Sequence, residues 1–166
     1  MDDKILVSAC LAGYNCRYDG GNNFHPGIAE LVEKGVAVPV CPEQLGGLPT
    51  PRPACEIKGG DGCRVLAGGA RVENINGKDV TGQFIDGAEK ALTEALKHNT
   101  KMAILKERSP SCGVHFIYDG TFQGGKISGQ GVLAALLTRN GVKLYSEEDI
   151  PTGSDDLVDF VQVRQR

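Results

Sequence analysis

Three short aliphatic runs each give out at or just before a cysteine, and this pattern constrains the fold more than any other feature. Lys4-Ile-Leu-Val-Ser-Ala leads into Cys10, Gly35-Val-Ala-Val-Pro-Val leads into Cys41, and Lys101-Met-Ala-Ile-Leu-Lys stops shortly before Cys112. Runs of this length that are apolar at nearly every position suit strands buried on both faces. Parallel strands of one sheet bring their C-terminal ends to one edge, where open α/β sheets place their active sites. The three thiols would converge there. Three thiolates suit a metal or an iron–sulfur cluster better than a disulfide.

The rest of the chain supplies the helices such a sheet needs. Residues 4–9 read as the first strand. Pro26 opens a helix over residues 26–34, with Ile28, Leu31 and Val32 on one side and Gly35 as its stop. Residues 36–40 form a second strand, and residues 41–69, rich in Gly and Pro, read as one long loop. A helix runs from about residue 79 to 98 on a stripe of Phe84, Ile85, Ala88, Leu92, Ala95 and Leu96. The third strand spans residues 102–105 and ends in the loop Lys106-Glu-Arg-Ser-Pro-Ser-Cys-Gly. Residues 114–123 suggest a hairpin turning at Asp119-Gly120, or a strand and an extended loop. A helix over residues 129–140, a strand over 142–146 and a helix over 154–163 complete the chain. Alternating strand and helix predicts an α/β fold: a single Rossmann-like domain over residues 1–166, mostly parallel, with helices on both faces.

Totals exclude several classes. The chain has 166 residues and a net charge of −3 without a basic cluster, which argues against binding a long nucleic acid. No run reaches membrane-spanning length, and Met1-Asp-Asp-Lys does not open a signal region, so a cytoplasmic protein with no membrane partner is expected. The six cysteines include no CxxC pair, and the reducing cytosol disfavours a disulfide framework.

Free cysteines often fill cores, but three at equivalent strand ends beside Gly/Pro loops point to ligands. Three thiolates on a cubane would leave one iron open. Cys16 is either a fourth ligand or a spectator, and Cys55 and Cys63 are placed outside the ligand set. Glu43, in Cys41-Pro-Glu, is either a loop carboxylate or a general base beside the metal. Ser109 and Ser111 each suit a capping role or a proton-transfer role. Arg17, Arg52, Lys106 and Arg108 share these loops and suit an anionic or carbonyl group. Gly124-Gly-Lys-Ile-Ser-Gly-Gln-Gly131, before a helix, offers a weak phosphate-loop signal.

Taken in order, Ser8-Ala-Cys-Leu-Ala-Gly13, Cys16-Arg-Tyr-Asp-Gly-Gly21, Cys41-Pro-Glu, Gly46-Gly-Leu-Pro-Thr-Pro-Arg52, Leu105-Lys-Glu-Arg-Ser-Pro-Ser-Cys-Gly113, Tyr118-Asp-Gly-Thr-Phe122 and Gly129-Gln-Gly-Val-Leu-Ala-Ala135 resemble the thiouracil desulfidase family. The resemblance implies a [4Fe–4S] cluster held by Cys10, Cys41 and Cys112, with one iron open. It also implies non-redox removal of sulfur from a small thiolated pyrimidine, 2- or 4-thiouracil or 4-thiouridine monophosphate. Glu43 and Ser109 occupy the positions of the participating residues. Two other classes stand beside it: a three-thiolate zinc hydrolase, and a non-catalytic Fe–S module closed by Cys16. The oligomeric state is not legible in the chain.

Overall fold

The computed structural model describes residues 3–165; Met1, Asp2 and Arg166 of the expected 1–166 span lie outside the described residues. In chain order the elements are β1 (Ile5–Ser8), a 3-10 turn (Ala9–Ala12), α1 (Pro26–Glu33), β2 (Ala37–Val40), α2 (Pro42–Leu45), β3 (Cys55–Lys58), α3 (Gly62–Leu66) and β4 (Arg71–Asn74). They continue with α4 (Thr81–Lys97), β5 (Met102–Leu105), β6 (Phe116–Tyr118), β7 (Lys126–Ser128), α5 (Val132–Arg139), β8 (Lys143–Ser146) and α6 (Ser154–Arg164).

The apolar runs pair as a four-stranded parallel sheet in the order β2-β1-β5-β8, with Leu6 opposite both Val38 and Ala103. Alternate side chains along a strand point to opposite faces, so each run serves two cores. Leu6, Val40, Ala103 and Leu105 pack on Phe84, Ala88 and Ala91 of α4 and on Leu133 and Leu137 of α5. Ile5, Val7, Met102 and Ile104 face Ile28 and Leu31 of α1 and Leu157 and Val161 of α6. Helices therefore cover both faces, as the sequence pattern predicts. The chain passes from β1 outward to β2, then returns to the other side of β1 to lay down β5. That reversal opens a crevice at the C-terminal ends of β1 and β5, where Cys10 and Cys112 follow.

Local chemistry sets the helix ends. His25 caps α1 by accepting from the Ile28 N–H at 3.3 Å, Pro26 fills the first turn, and Gly35 at φ 74° turns the chain into β2. Asp79 Oδ1 accepts from the Thr81 N–H at 2.9 Å where α4 begins. The buried line of α4 runs through Gly87 and Ala91 and leaves Leu96, a member of the predicted stripe, exposed. Small residues at the centre of the line allow a close approach. A methyl on Gly87 would overlap the Pro42 carbonyl, and one on Gly46 would overlap that of Gln83. Helix α2 thus rests backbone to backbone on α4.

Two predicted loops differ in the structure. Residues 41–69 are not one loop, because they hold α2, β3 and α3, and β3 pairs antiparallel with β4 (Ile57 opposite Val72). Each of those strands carries a single well-buried aliphatic residue between charged ones, too little for a periodicity to register. The hairpin beginning at residue 114 is present, but β6 pairs with β7, so its return strand lies beyond the predicted span. Asp119 Oδ1 accepts from the Thr121 N–H and hydroxyl and widens the turn. Since β7 occupies residues 126–128, the Gly124–Gly131 segment is not a phosphate-cradling loop.

An ion pair joins the residue before β6 to the turn that follows β8. His115 Nε2 lies 2.7 Å from Asp149 Oδ2, which also accepts from the Ser146 N–H. The Asp149 hydrogen bond holds His115 above its ordinary 6.5. Burial pushes Asp149 up, but the Ser146 N–H and His115 outweigh it and hold the carboxyl below its usual range. Because the folded His115 value is raised, its stabilisation is present below 6.5 and is lost as pH rises through that raised value. His115→Asn should therefore lower the urea midpoint more at about pH 5.5 than at about pH 8.5. An equal loss at both would show that the pair contributes nothing through its charge.

Candidate active site

Five of the six cysteines, Cys10, Cys16, Cys41, Cys55 and Cys112, line one cavity of about 480 Å³ at the C-terminal edge of the sheet; only Cys63, exposed on α3, stands apart. Cys10 sits in the 3-10 turn that continues β1. Cys41 is the N-cap of α2 in extended conformation, directly after β2. Cys112 follows β5 in a loop that Gly131, at the head of α5, approaches so closely that a methyl there would overlap the Ser111 carbonyl. The Ser8 Oγ accepts from the Lys106 N–H at 2.9 Å and ties the ends of β1 and β5 together.

A serine–carboxylate chain stands on the same wall. Glu43, in the first turn of α2, has a side chain 12% exposed and accepts from Ser111 Oγ at 2.8 Å. Ser109 reaches Glu43 only through Ser111, with 3.0 Å between the two hydroxyl oxygens. Ser109 Oγ accepts from the Ser111 N–H at 3.2 Å and the Cys112 N–H at 3.1 Å, which occupies both of its lone pairs. Its own proton must then point to Ser111, whose proton points to Glu43. The chain has a direction: Ser109 to Ser111 to the carboxylate. Ser111, one of two serines left open by the sequence, is the direct partner.

Cations and carboxylates complete the wall. Arg52 Nη2 donates to the Cys16 carbonyl at 2.9 Å and lies 3.8 Å from Glu43 Oε2, while its Nη1 reaches the Thr50 hydroxyl at 3.0 Å and the Pro49 carbonyl at 3.3 Å. Arg17, Lys106 and Arg108 also line the cavity, paired with Asp19 (3.0 Å), Glu147 (2.9 Å) and Glu148 (2.8 Å). Glu107 was not singled out by sequence reasoning. Its buried Oε1 accepts from the N–H groups of Val114 and His115 at 2.8 Å, Phe116 at 3.1 Å and Arg108 at 3.4 Å, clasping the ends of the Ser109–Cys112 loop. Burial pushes this carboxyl up, but the four donors win and hold it below the usual range. Its position directly after an apolar strand was the available signal, since a carboxylate there suits free loop N–H groups.

The thiols fit an iron–sulfur group on three observations. First, each has a donor available for a thiolate. Asn23 Nδ2 donates to Cys10 Sγ at 3.4 Å, the Ser8 hydroxyl serves Cys112, and the Gln44 N–H at the head of α2 serves Cys41. As thiols, Cys41 and Cys55 donate to the Cys16 and Pro53 carbonyls at 3.8 and 3.5 Å. Second, burial pushes the Cys10 and Cys112 thiols up, so their charged forms call for a cationic partner, as bound metal supplies. The Cys16 hydrogen bond holds Cys41 below its ordinary value and Cys16 above its own, and burial pushes Cys55 up to about 11. Third, among the described residues no three His, Cys, Asp or Glu side chains gather tightly enough for a single metal ion. Cys10, Cys41 and Cys112 share one cavity, and a cubane takes each thiolate on a different iron.

A parallel α/β sheet with a thiol-lined crevice at its C-terminal edge and a serine–carboxylate chain in its wall has its candidate site at the switch point, where enzymes of open α/β folds have theirs. Residues 5–149 match the family model for 2-thiouracil desulfurase, and the chain belongs to that family, whose members break a C–S bond. An uncharacterised protein of Bacillus subtilis, YbbK, is 49% identical over 146 residues, which are 88% of this chain and 97% of that one. A solved structure described as a [4Fe–4S]-dependent thiouracil desulfidase, TudS, superposes with a TM-score of 0.82 at 39% identity, covering 98% of this chain and 99% of that one. No described helix is long and apolar enough to cross a membrane.

Proposed function

We propose that this chain, acting as one desulfidase domain in the cytoplasm, replaces the sulfur of a thiolated uracil with oxygen from water and releases hydrogen sulfide. Cys10, Cys41 and Cys112 would hold a [4Fe–4S] cluster with one iron free of protein ligand. The observation that carries this reading is the shared cavity: three cysteines from the ends of adjacent strands face the same space as the Glu43–Ser111–Ser109 chain. When bound, such a cluster supplies a soft Lewis acid with affinity for the substrate's sulfur.

The protein's own groups then manage protons. Glu43, 3.8 Å from Arg52, takes a proton from the water that attacks the thiocarbonyl carbon. The Ser111 hydroxyl, 2.8 Å from Glu43, holds that carboxylate in one orientation. Ser109 gives its proton to the departing sulfur when its O–H turns into the cavity and one backbone N–H bond yields a lone pair to the Ser111 proton, which the protonated Glu43 replaces. Net, the thione and water become the carbonyl and hydrogen sulfide, and no electrons are transferred. A cavity of about 480 Å³ suits a base or mononucleotide, not a nucleic-acid chain. Family membership favours this over a zinc hydrolase, and the serine–carboxylate chain favours it over a non-catalytic Fe–S module.

Anaerobic reconstitution with iron and sulfide, followed by incubation with 2-thiouracil, 4-thiouracil and 4-thiouridine monophosphate, tests the proposal. Loss of the thione absorbance with one sulfide released per base is expected for at least one of them. A fully loaded protein that leaves all three substrates intact would reject it.

A further inference from the structure

The Cys10 sulfur receives a hydrogen bond whose direction the surrounding residues enforce. Asn23 makes two links to Cys10: its backbone N–H donates to the Cys10 carbonyl at 2.9 Å, and its Nδ2 lies 3.4 Å from Sγ. An amide side chain can turn over, presenting oxygen where nitrogen stood. Arg17 prevents this. Its Nη1 donates to Asn23 Oδ1 at 3.0 Å, and a guanidinium has no acceptor to offer the NH₂ group. Arg17 is itself anchored by Asp19 at 3.0 Å and by the Asn22 carbonyl at 3.4 Å. The order is therefore fixed: Asp19 holds Arg17, Arg17 holds the amide oxygen, and the amide N–H faces sulfur.

We infer that Asn23 is a positioning residue for the desulfurase reaction, its Arg17-oriented amide withdrawing electron density from the Cys10 sulfur and thereby raising the reduction potential and Lewis acidity of the bound cluster. Hydrogen bonds to ligand sulfurs are one of the levers that set iron–sulfur potentials. Groups that orient or polarise a metal ligand matter to activity without touching substrate. The inference rests on the reading of Cys10 as a cluster ligand.

Asn23→Asp keeps the shape and puts an oxygen where the donor was. In the reconstituted protein, EPR-monitored titration should give a more negative potential than wild type, and the Fe–S(Cys) stretch in resonance Raman should move to higher frequency. A fall of roughly 10- to 100-fold in kcat/KM for 4-thiouracil should accompany this shift. Arg17→Leu, which frees the amide to turn over, should shift the potential in the same direction by less. Should the first variant fail to hold iron, Asn23→Leu removes the donor without adding charge and reads the same shift. A wild-type potential and Raman band in an iron-loaded Asn23 variant would overturn the inference. Cys10→Ala separates the two levels. If it loses iron while the Asn23 variants keep the wild-type potential, only the Asn23 role fails; if it keeps full iron, the ligand reading fails beneath it.

Discussion

Glu43→Gln is expected to leave the protein folded and its cluster intact while lowering kcat by roughly 10²- to 10⁴-fold, the usual contribution of a positioned general base. The fold should survive because Arg52, the neighbouring cation, keeps its contacts to the Cys16 and Pro49 carbonyls and the Thr50 hydroxyl. Arg52, 6% exposed, loses its carboxylate partner at 3.8 Å and keeps only neutral acceptors. The glutamine oxygen can still accept from Ser111, so the unfolding free energy should fall by about 1–3 kcal/mol. What disappears is the basic site at the end of the Ser109–Ser111 chain. Single-turnover kinetics on 4-thiouracil, with iron content measured on the same sample, separates these terms. Wild-type turnover at full iron loading would reduce Glu43 to a structural partner of Arg52.

Gly87→Ala should damage a site that the substituted residue never touches. In an exposed helix, Ala for Gly stabilises by about 1 kcal/mol. At Gly87 the methyl would instead overlap the Pro42 carbonyl, a backbone atom that cannot rotate aside. Overpacking of this kind typically costs about 1–3 kcal/mol, so the steric term wins. Relief requires α2 to lift away from α4, taking Cys41, Pro42 and Glu43 with it. The urea midpoint and the iron content should therefore fall together. Gly82→Ala in the same helix supplies the control: its methyl would meet nothing within 4 Å, and it should keep or raise stability. If Gly87→Ala behaves like Gly82→Ala, α2 is not seated by that contact.

The parallel sheet was legible because β1 and β5 are buried at every position, which writes an unbroken apolar run into the chain. Their cysteines were legible for the same reason, since the end of such a run marks the active edge. The β3–β4 pair was not, because Ile57 and Val72 stand alone among charged neighbours. Turn chemistry at Asp119 was visible, but the Glu56 carboxylate that accepts from the Gly120 and Phe122 N–H groups comes from a distant strand. No local rule reveals that contact. Within the site, the spacing of Ser-Pro-Ser-Cys named both serines and could not rank them. The ranking depends on which hydroxyl faces α2, a tertiary fact. The orientation of Asn23 is of the same kind, set by Arg17 across a turn.

Iron and acid-labile sulfide content after anaerobic reconstitution of single Cys→Ala variants tests the three-thiol assignment most directly. Cys10→Ala, Cys41→Ala and Cys112→Ala should each lose the cluster with its visible absorbance, whereas Cys16→Ala and Cys55→Ala, whose thiols line the same cavity, should retain it. Full iron content in any of the first three would contradict the assignment. So would its loss from Cys16→Ala, which would close the cluster with a fourth thiolate.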